Sequence, residues 1–193
     1  MNLLVLGPQG AGKGTQAKRI SAEFGVPHVS TGDMFRAAIA AGTELGKQVQ
    51  PLLDSGTLVP DEVTIALIRE RLSEPDAAEG FVLDGFPRNL AQAEALDEML
   101  GGIGRGLDAI LFFDGPDAVG MQRALSRAQT EGRSDDTPEV IAKRLATYHA
   151  ETEPIVEHYR ATGKLVPLHA ERTIDQVWAE IQSAIDMLDQ DAA

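Results

Sequence analysis

None of the 193 residues is a cysteine. That excludes a disulfide framework and a thiolate-held zinc site, and a cytoplasmic enzyme fits best. Long apolar runs are also missing. Nothing approaches the roughly 20 consecutive apolar residues that span a bilayer, so no membrane partner is expected. Positive charge is in deficit, with 17 Lys and Arg against 30 Asp and Glu and a net charge of −13. Such a surface repels phosphodiester backbones and argues against general nucleic-acid binding; the acidity reads as a solvated, solubilising surface. No nucleophile–base pattern stands out. His28, His149, His158 and His169 are scattered along the chain and read as structural or surface residues. The start, Met1-Asn2-Leu3-Leu4, lacks a basic region, so no cleaved leader is expected. The segment Asp189–Ala193 reads as a frayed tail.

What is present is concentrated near the start. The apolar run Leu3–Leu6 reads as a buried strand and Lys13–Phe24 as a helix. Between them lies Gly7-Pro8-Gln9-Gly10-Ala11-Gly12-Lys13. Glycines there let the backbone turn tightly and aim successive N–H groups at phosphate oxygens. The helix N-terminus adds a favourable dipole, and Lys13 supplies a point charge. Gly14 stands where the generic phosphate-binding loop has Ser or Thr, and Thr15 follows one place later. The displaced hydroxyl suggests a subclass that holds its metal through water or another carboxylate.

Five short apolar runs read as strands: 3–6, 28–30, 81–83, 109–113 and 165–168. Helical patterns alternate with them, which predicts an α/β fold with a parallel sheet. Ligands should then sit at the carboxyl ends of the strands. Two excursions interrupt the alternation. One, 31–60, is helical and glycine-containing; the other, 126–136, reads as a short polar loop. Thr137 and Pro138 form a helix start, Pro154 should kink or restart that helix, and Trp178 with Val177, Ile181 and Ile185 forms a core-facing helical stripe.

Asp84 ends the third run, where a carboxylate beside a phosphate-binding loop orients hydrated Mg²⁺. Gly85-Phe86-Pro87-Arg88 follows, and Arg88 can grip a phosphate bidentately. Arg36, Arg123, Arg127, Arg133 and Arg144 also fall near loops of one sheet edge, as a polyanion clamp would require. Arg172 reads on pattern alone as a surface or packing residue.

These pieces resemble the adenylate kinase family over nearly the whole chain. The resemblance rests on Gly7–Thr15, Ser30-Thr31-Gly32-Asp33-Met34-Phe35-Arg36, Gly56-Thr57-Leu58-Val59, and Leu83-Asp84-Gly85-Phe86-Pro87-Arg88 with Gln92. Gly132-Arg133-Ser134-Asp135-Asp136 and Lys143-Arg144-Leu145 extend it. It implies a P-loop NTPase-type three-layer fold with a five-stranded parallel sheet. The core would comprise 1–30, 60–125 and 137–193, with an AMP-binding insertion at 31–59 and a short lid at 126–136. It further implies that Gly10, Ala11, Gly12, Lys13, Gly14, Thr15, Arg123, Arg127 and Arg172 bind ATP. Thr31, Arg36, Thr57, Leu58, Val59, Gly85, Phe86, Pro87, Arg88, Gln92, Arg133 and Arg144 would serve AMP. Lys13, Arg88, Arg123, Arg133 and Arg144 would be catalytic, and Asp84 would hold Mg²⁺ through water. No zinc is expected, and the implied state is a monomer working on ATP, AMP and ADP. The implied lid is held by Arg127, Arg133 and the Asp135–Asp136 pair, and its closure is expected to weaken as salt rises.

Two features pull toward other readings. Asn89 stands where adenylate kinases usually carry Thr, as in UMP/CMP kinases, and His169-Ala170-Glu171 departs from the usual adenine-side segment. Thr31 and Gln92 favour AMP, because an amide offers an adenine edge both a donor and an acceptor. A switch GTPase would need Asn-Lys-x-Asp, which is absent. A non-catalytic nucleotide binder could keep the loop but would not need so many arginines.

Overall fold

The computed structural model describes residues 1–131, 133 and 135–191. Gly132 and Ser134 of the expected lid, and Ala192 and Ala193 of the expected tail, lie outside the described residues.

Strand β1 (Asn2–Leu6) is buried along its whole length. Leu3 and Val5 enter one core cluster while Leu4 and Leu6 enter another. That alternation is what a strand covered on both faces requires, and it explains why the run is apolar throughout. With β2 (His28–Ser30), β3 (Phe81–Asp84), β4 (Ala109–Asp114) and β5 (Leu165–His169) it forms one parallel sheet in the order β2-β3-β1-β4-β5. The chain leaves β1 toward β2 and β3 and later returns to the other side as β4. The carboxyl end of β1 is therefore the switch point, and Val5 lies in register with Asp84 of β3.

Helices α1 (Lys13–Phe24) and α9 (Ile174–Asp191) cover one face. Trp178, Ile181 and Ile185 pack there on Leu3, Val5 and Ile20, as the stripe predicted. Helices α4 (Asp61–Leu72), α5 (Leu90–Gly101) and α8 (Glu153–Arg160) cover the other, supplying Ile68, Leu96, Leu100, Ile155 and Tyr159. A third, smaller core joins Phe35, Val49 and Val59. It belongs to α2 (Thr31–Ala40), α3 (Glu44–Asp54) and the turn that follows.

Side-chain caps start many of these helices where the sequence allows them. Ser30 accepts from the Asp33 amide at 3.3 Å, Thr43 from Gly46 at 3.0 Å, Asn89 from Gln92 at 2.9 Å and Thr137 from Val140 at 3.3 Å. Helix α7 (Pro138–Thr147) runs into a π-helical turn, Tyr148–Thr152, and the chain restarts as α8 with Pro154 in its first turn. One expectation fails locally. Residues 126–131 are not loop but the end of α6 (Asp117–Glu131). Their polarity suggested a loop, yet Arg127, Ala128, Gln129 and Glu131 are good helix formers and no glycine intervenes before position 132.

Candidate active site

A cleft of about 810 Å³ opens over the carboxyl ends of β1 and β3. Its floor is the loop between β1 and α1. Gly12 caps α1 with φ 93°, a conformation that favours glycine. A Cβ at Gly10 would overlap the carbonyl of Gly120 on α6, so this glycine is needed for close backbone approach. The cleft reaches Arg172 on one side and Thr31, Arg36, Thr57, Leu58 and Val59 on the other. Of the residues expected to hold nucleotide, all line it except Phe86. Phe86 is 1% exposed and packs its ring in the core with Leu83 and Leu96, shaping the turn from behind.

The cations here are held in unequal ways. Lys13 Nζ donates to the carbonyls of Gly7 and Pro8, both at 2.7 Å. Desolvation pushes its ammonium down to about 8; Asp84 opposes that, while Arg88 and Arg127 reinforce it. Arg88 Nε donates to the Gly85 carbonyl at 2.8 Å, and its backbone carbonyl accepts from Thr152 Oγ1 at 2.7 Å. Desolvation again, with Arg144 and Arg36 adding repulsion, lowers its affinity for a proton, and Asp84 works the other way. Among the described residues neither cation makes an ion pair with a carboxylate.

Asp84 accepts the contact of His28 Nε2 at 3.4 Å. Burial would raise its carboxyl, but the His28 hydrogen bond and the charges of Lys13, His28 and Arg88 outweigh it and hold the group below the usual carboxylate range. It is an ionised, nearly enclosed carboxylate. His28, read from sequence only as structural or surface, is thus a direct neighbour of Asp84. Thr31 Oγ1 donates to the Gly85 carbonyl at 2.9 Å and ties the start of α2 to the same turn.

The remaining arginines organise the cleft's rim. Arg123 donates to the carbonyls of Ala170, Glu171 and Arg172, fixing the loop after β5. Arg172 lines the cleft while its guanidinium pairs with Glu180 at 2.6 Å. Arg36 pairs with Asp33. Arg133 lines the cleft, and its charge, with those of Arg36 and Lys18, helps hold the Asp33 carboxyl low against the raising effect of burial.

Asp136 gathers the rest. Its side chain is 0% exposed. Arg127 donates to Oδ2 through Nε at 2.8 Å and Nη2 at 2.7 Å. Gln9 of the phosphate-binding loop donates to Oδ1 at 2.7 Å, and Arg144 to the same oxygen at 3.2 Å. Arg144 also reaches Asp135 at 2.7 Å and the Leu53 carbonyl of α3 at 3.0 Å. Lys143 donates to Thr57 Oγ1 at 2.7 Å. Segment 31–59, the expected lid and the P-loop therefore meet around one buried carboxylate. Burial also alters the expectation about salt: mobile ions screen such a group far less than an exposed pair, so the salt dependence should be weak. Sequence reasoning named Asp135 and Asp136 but missed Gln9 and Thr152. Only the fold carries each to its partner, 127 and 64 positions away.

A profile of the adenylate kinase family matches residues 5–164. The chain belongs to the adenylate kinase family. Its similarity to individual members extends over almost the full length. An adenylate kinase of Cyanothece is 50% identical over 186 residues, covering 96% of this chain and 95% of that protein. One from Caulobacter vibrioides is also 50% identical over 186 residues, with 96% and 97% covered. The adenylate kinase of the archaeon Archaeoglobus fulgidus is 41% identical over 215 residues, with 97% and 99% covered. The three-layer α/β arrangement and the parallel five-stranded sheet are those expected of the family. Its members work on Mg·ATP. Among the described residues no group of three or more His, Asp or Glu could hold a metal, and no helix is long and apolar enough to cross a membrane.

Proposed function

We propose that this enzyme transfers the terminal phosphoryl group of Mg·ATP to AMP, reversibly, giving two ADP. One observation carries the reading. Lys13 and Arg88 face a single cleft, desolvated and held by neutral carbonyls; among the described residues no carboxylate lies within ion-pair distance of either, and Asp84 is the one carboxylate whose charge opposes the shift of both. Two buried cations against one carboxylate leave an excess of buried positive charge, which is costly, so such a site favours an anionic occupant that restores the balance. Nucleotide phosphates are that anion.

In this reading ATP phosphates lie along Gly10–Thr15 under Lys13, with Arg123 and Arg127 in contact with ATP and Arg172 beside its adenine. AMP lies against Thr31, Arg36, Thr57–Val59 and Gln92, with its phosphate between Arg88, Arg133 and Arg144. A single ionised carboxylate at a strand end fits a cation that keeps most of its water and takes its other ligands from phosphate, which describes Mg²⁺ and not a caged metal. Asp84 would orient that hydrated ion, which supplies charge neutralisation on the donor phosphates. The acceptor is a phosphate oxygen with a second pKa of about 6, already ionised at neutral pH, so no general base is needed. Catalysis is positioning and charge stabilisation by Lys13 and the arginines. The segments 31–59 and 126–136 would close on bound nucleotide and exclude water from the transfer. The same reading makes the protein a cytoplasmic monomer.

The test is a coupled assay of ADP formation from ATP with AMP, UMP and CMP in parallel. ADP formed with AMP and little with the pyrimidines is expected. No turnover with any of them would refute the reading, and a preference for UMP or CMP would move the enzyme to that branch.

A further inference from the structure

Gln92 is 1% exposed and lines the cleft, as Val59 and Thr64 do. Both ends of its amide are engaged. Nε2 donates to Asp61 Oδ1 at 2.7 Å, and Oε1 accepts from the Arg88 backbone N–H at 2.8 Å. A carboxylate can only accept, and a backbone N–H can only donate. Turning the amide over would set carbonyl oxygen against carboxylate oxygen and NH₂ against N–H. The two partners therefore impose the same orientation. Asp61 is the first residue of α4 and does not line the cleft; it stands behind Gln92. Asn89 braces it, donating Nδ2 to the same Oδ1 at 2.9 Å while capping α5 through Oδ1. Asn89 thus caps α5 through its oxygen and supports Asp61 through its nitrogen.

We infer that Asp61 is a positioning residue that selects the base of the acceptor nucleotide by locking the Gln92 amide in one orientation. An amide nitrogen has two hydrogens and its oxygen two lone pairs, so one of each remains for a ligand. An oxygen acceptor beside an N–H donor complements adenine, which presents an amino group next to a ring-nitrogen acceptor. Hypoxanthine and guanine present a carbonyl where adenine has the amino group. They would need the amide turned over, which Asp61 forbids. The inference rests on the reading that AMP occupies this side of the cleft.

The test compares kcat/KM for AMP and IMP, with ATP as donor, in the wild type, Asp61→Asn and Asp61→Ser. An asparagine can offer its own N–H to a turned Gln92. Serine removes the carboxylate and leaves a hydroxyl that can donate or accept, so it imposes no orientation on Gln92. The Arg88 amide still favours the original orientation, so the loss is partial: the AMP-to-IMP ratio should fall about tenfold in both variants, through KM far more than kcat, as expected for a site whose buried polar groups discriminate by pairing. A purely structural role would raise KM for both substrates together and leave the ratio alone. If either variant melts cooperatively and its ratio stays within twofold of wild type, the assignment to Asp61 is wrong. A wild type inactive on AMP would instead overturn the function on which the inference rests.

Discussion

Asp136→Asn is the sharpest probe of how the proposed lid is held. The carboxylate is fully buried and accepts four hydrogen bonds, two from Arg127 on Oδ2 and one each from Gln9 and Arg144 on Oδ1. An asparagine keeps one oxygen. Whichever way it turns, its NH₂ faces either two donors of Arg127 or the donors of Gln9 and Arg144, so two of the four bonds are lost. Bonds to charged groups are worth about 1.5–3 kcal/mol each, giving an upper range of about 3–6 kcal/mol. Water can reach the freed arginines if Asp135 and Asp136 move outward, which limits the loss to the joined arrangement and to roughly 2–4 kcal/mol. At about 1.4 kcal/mol per decade, kcat/KM for ATP should fall about 30-fold to 10³-fold. Steady-state kinetics would measure this, with thermal melting as a control for the core. A fall of less than threefold with an unchanged melting curve would refute the role given to Asp136. In the wild type the same parameter should change little between low and moderate salt; a steep decline would show that the node is exposed in solution.

Arg88→Lys should lower turnover by about 10², because an ammonium cannot both donate to the Gly85 carbonyl and present a fork to phosphate; wild-type kcat in this variant would remove the bidentate role. Lys13 gives a pH signature. Its ordinary value is 10.5 and the fold holds it at about 8, so its charge opposes folding below about 8 and that cost lapses as the pH rises toward 10.5. A bound phosphate favours the charge, so ATP binding at pH 8.5 should take up protons, measured by calorimetry in buffers of different ionisation enthalpy, and Lys13→Met should abolish the uptake. His149 bonds Glu153 through Nδ1 and Asp117 through Nε2, each at 2.9 Å, and both carboxylates raise its pKa. The stabilisation is present below pH 6.5 and lost as pH rises through the raised value. With the ring 43% exposed it amounts to less than about 1 kcal/mol. His149→Gln should therefore melt slightly lower at pH 5.5 and identically at pH 9; an equal deficit at both would point to packing instead of charge.

Much of this molecule could be read along the chain, because its strongest signals are local. A strand buried on both faces must be apolar throughout, and a tight phosphate-binding turn must be glycine-rich, so β1, Gly10, Gly12 and the start of α1 are legible within a dozen residues. Caps such as Thr137 act within three residues and are equally visible. Side-chain direction and partnership are not local. Phe86 and Arg88 are two positions apart, yet one faces the core and the other the cleft. Gln9 finds Asp136, Thr152 finds the Arg88 carbonyl, His28 finds Asp84 and Asp61 finds Gln92 only because the parallel sheet brings the carboxyl ends of β1, β2 and β3 together and the flanking helices converge there. The polar run 126–131 reads as a loop by its polarity but continues α6, as its helix-forming residues and lack of glycine allow. The sequence alone determined which chemistry the chain carries. Tertiary structure decided which groups hold those residues in place, because hydrogen bonds of about 3 Å between distant positions have no period or spacing to betray them.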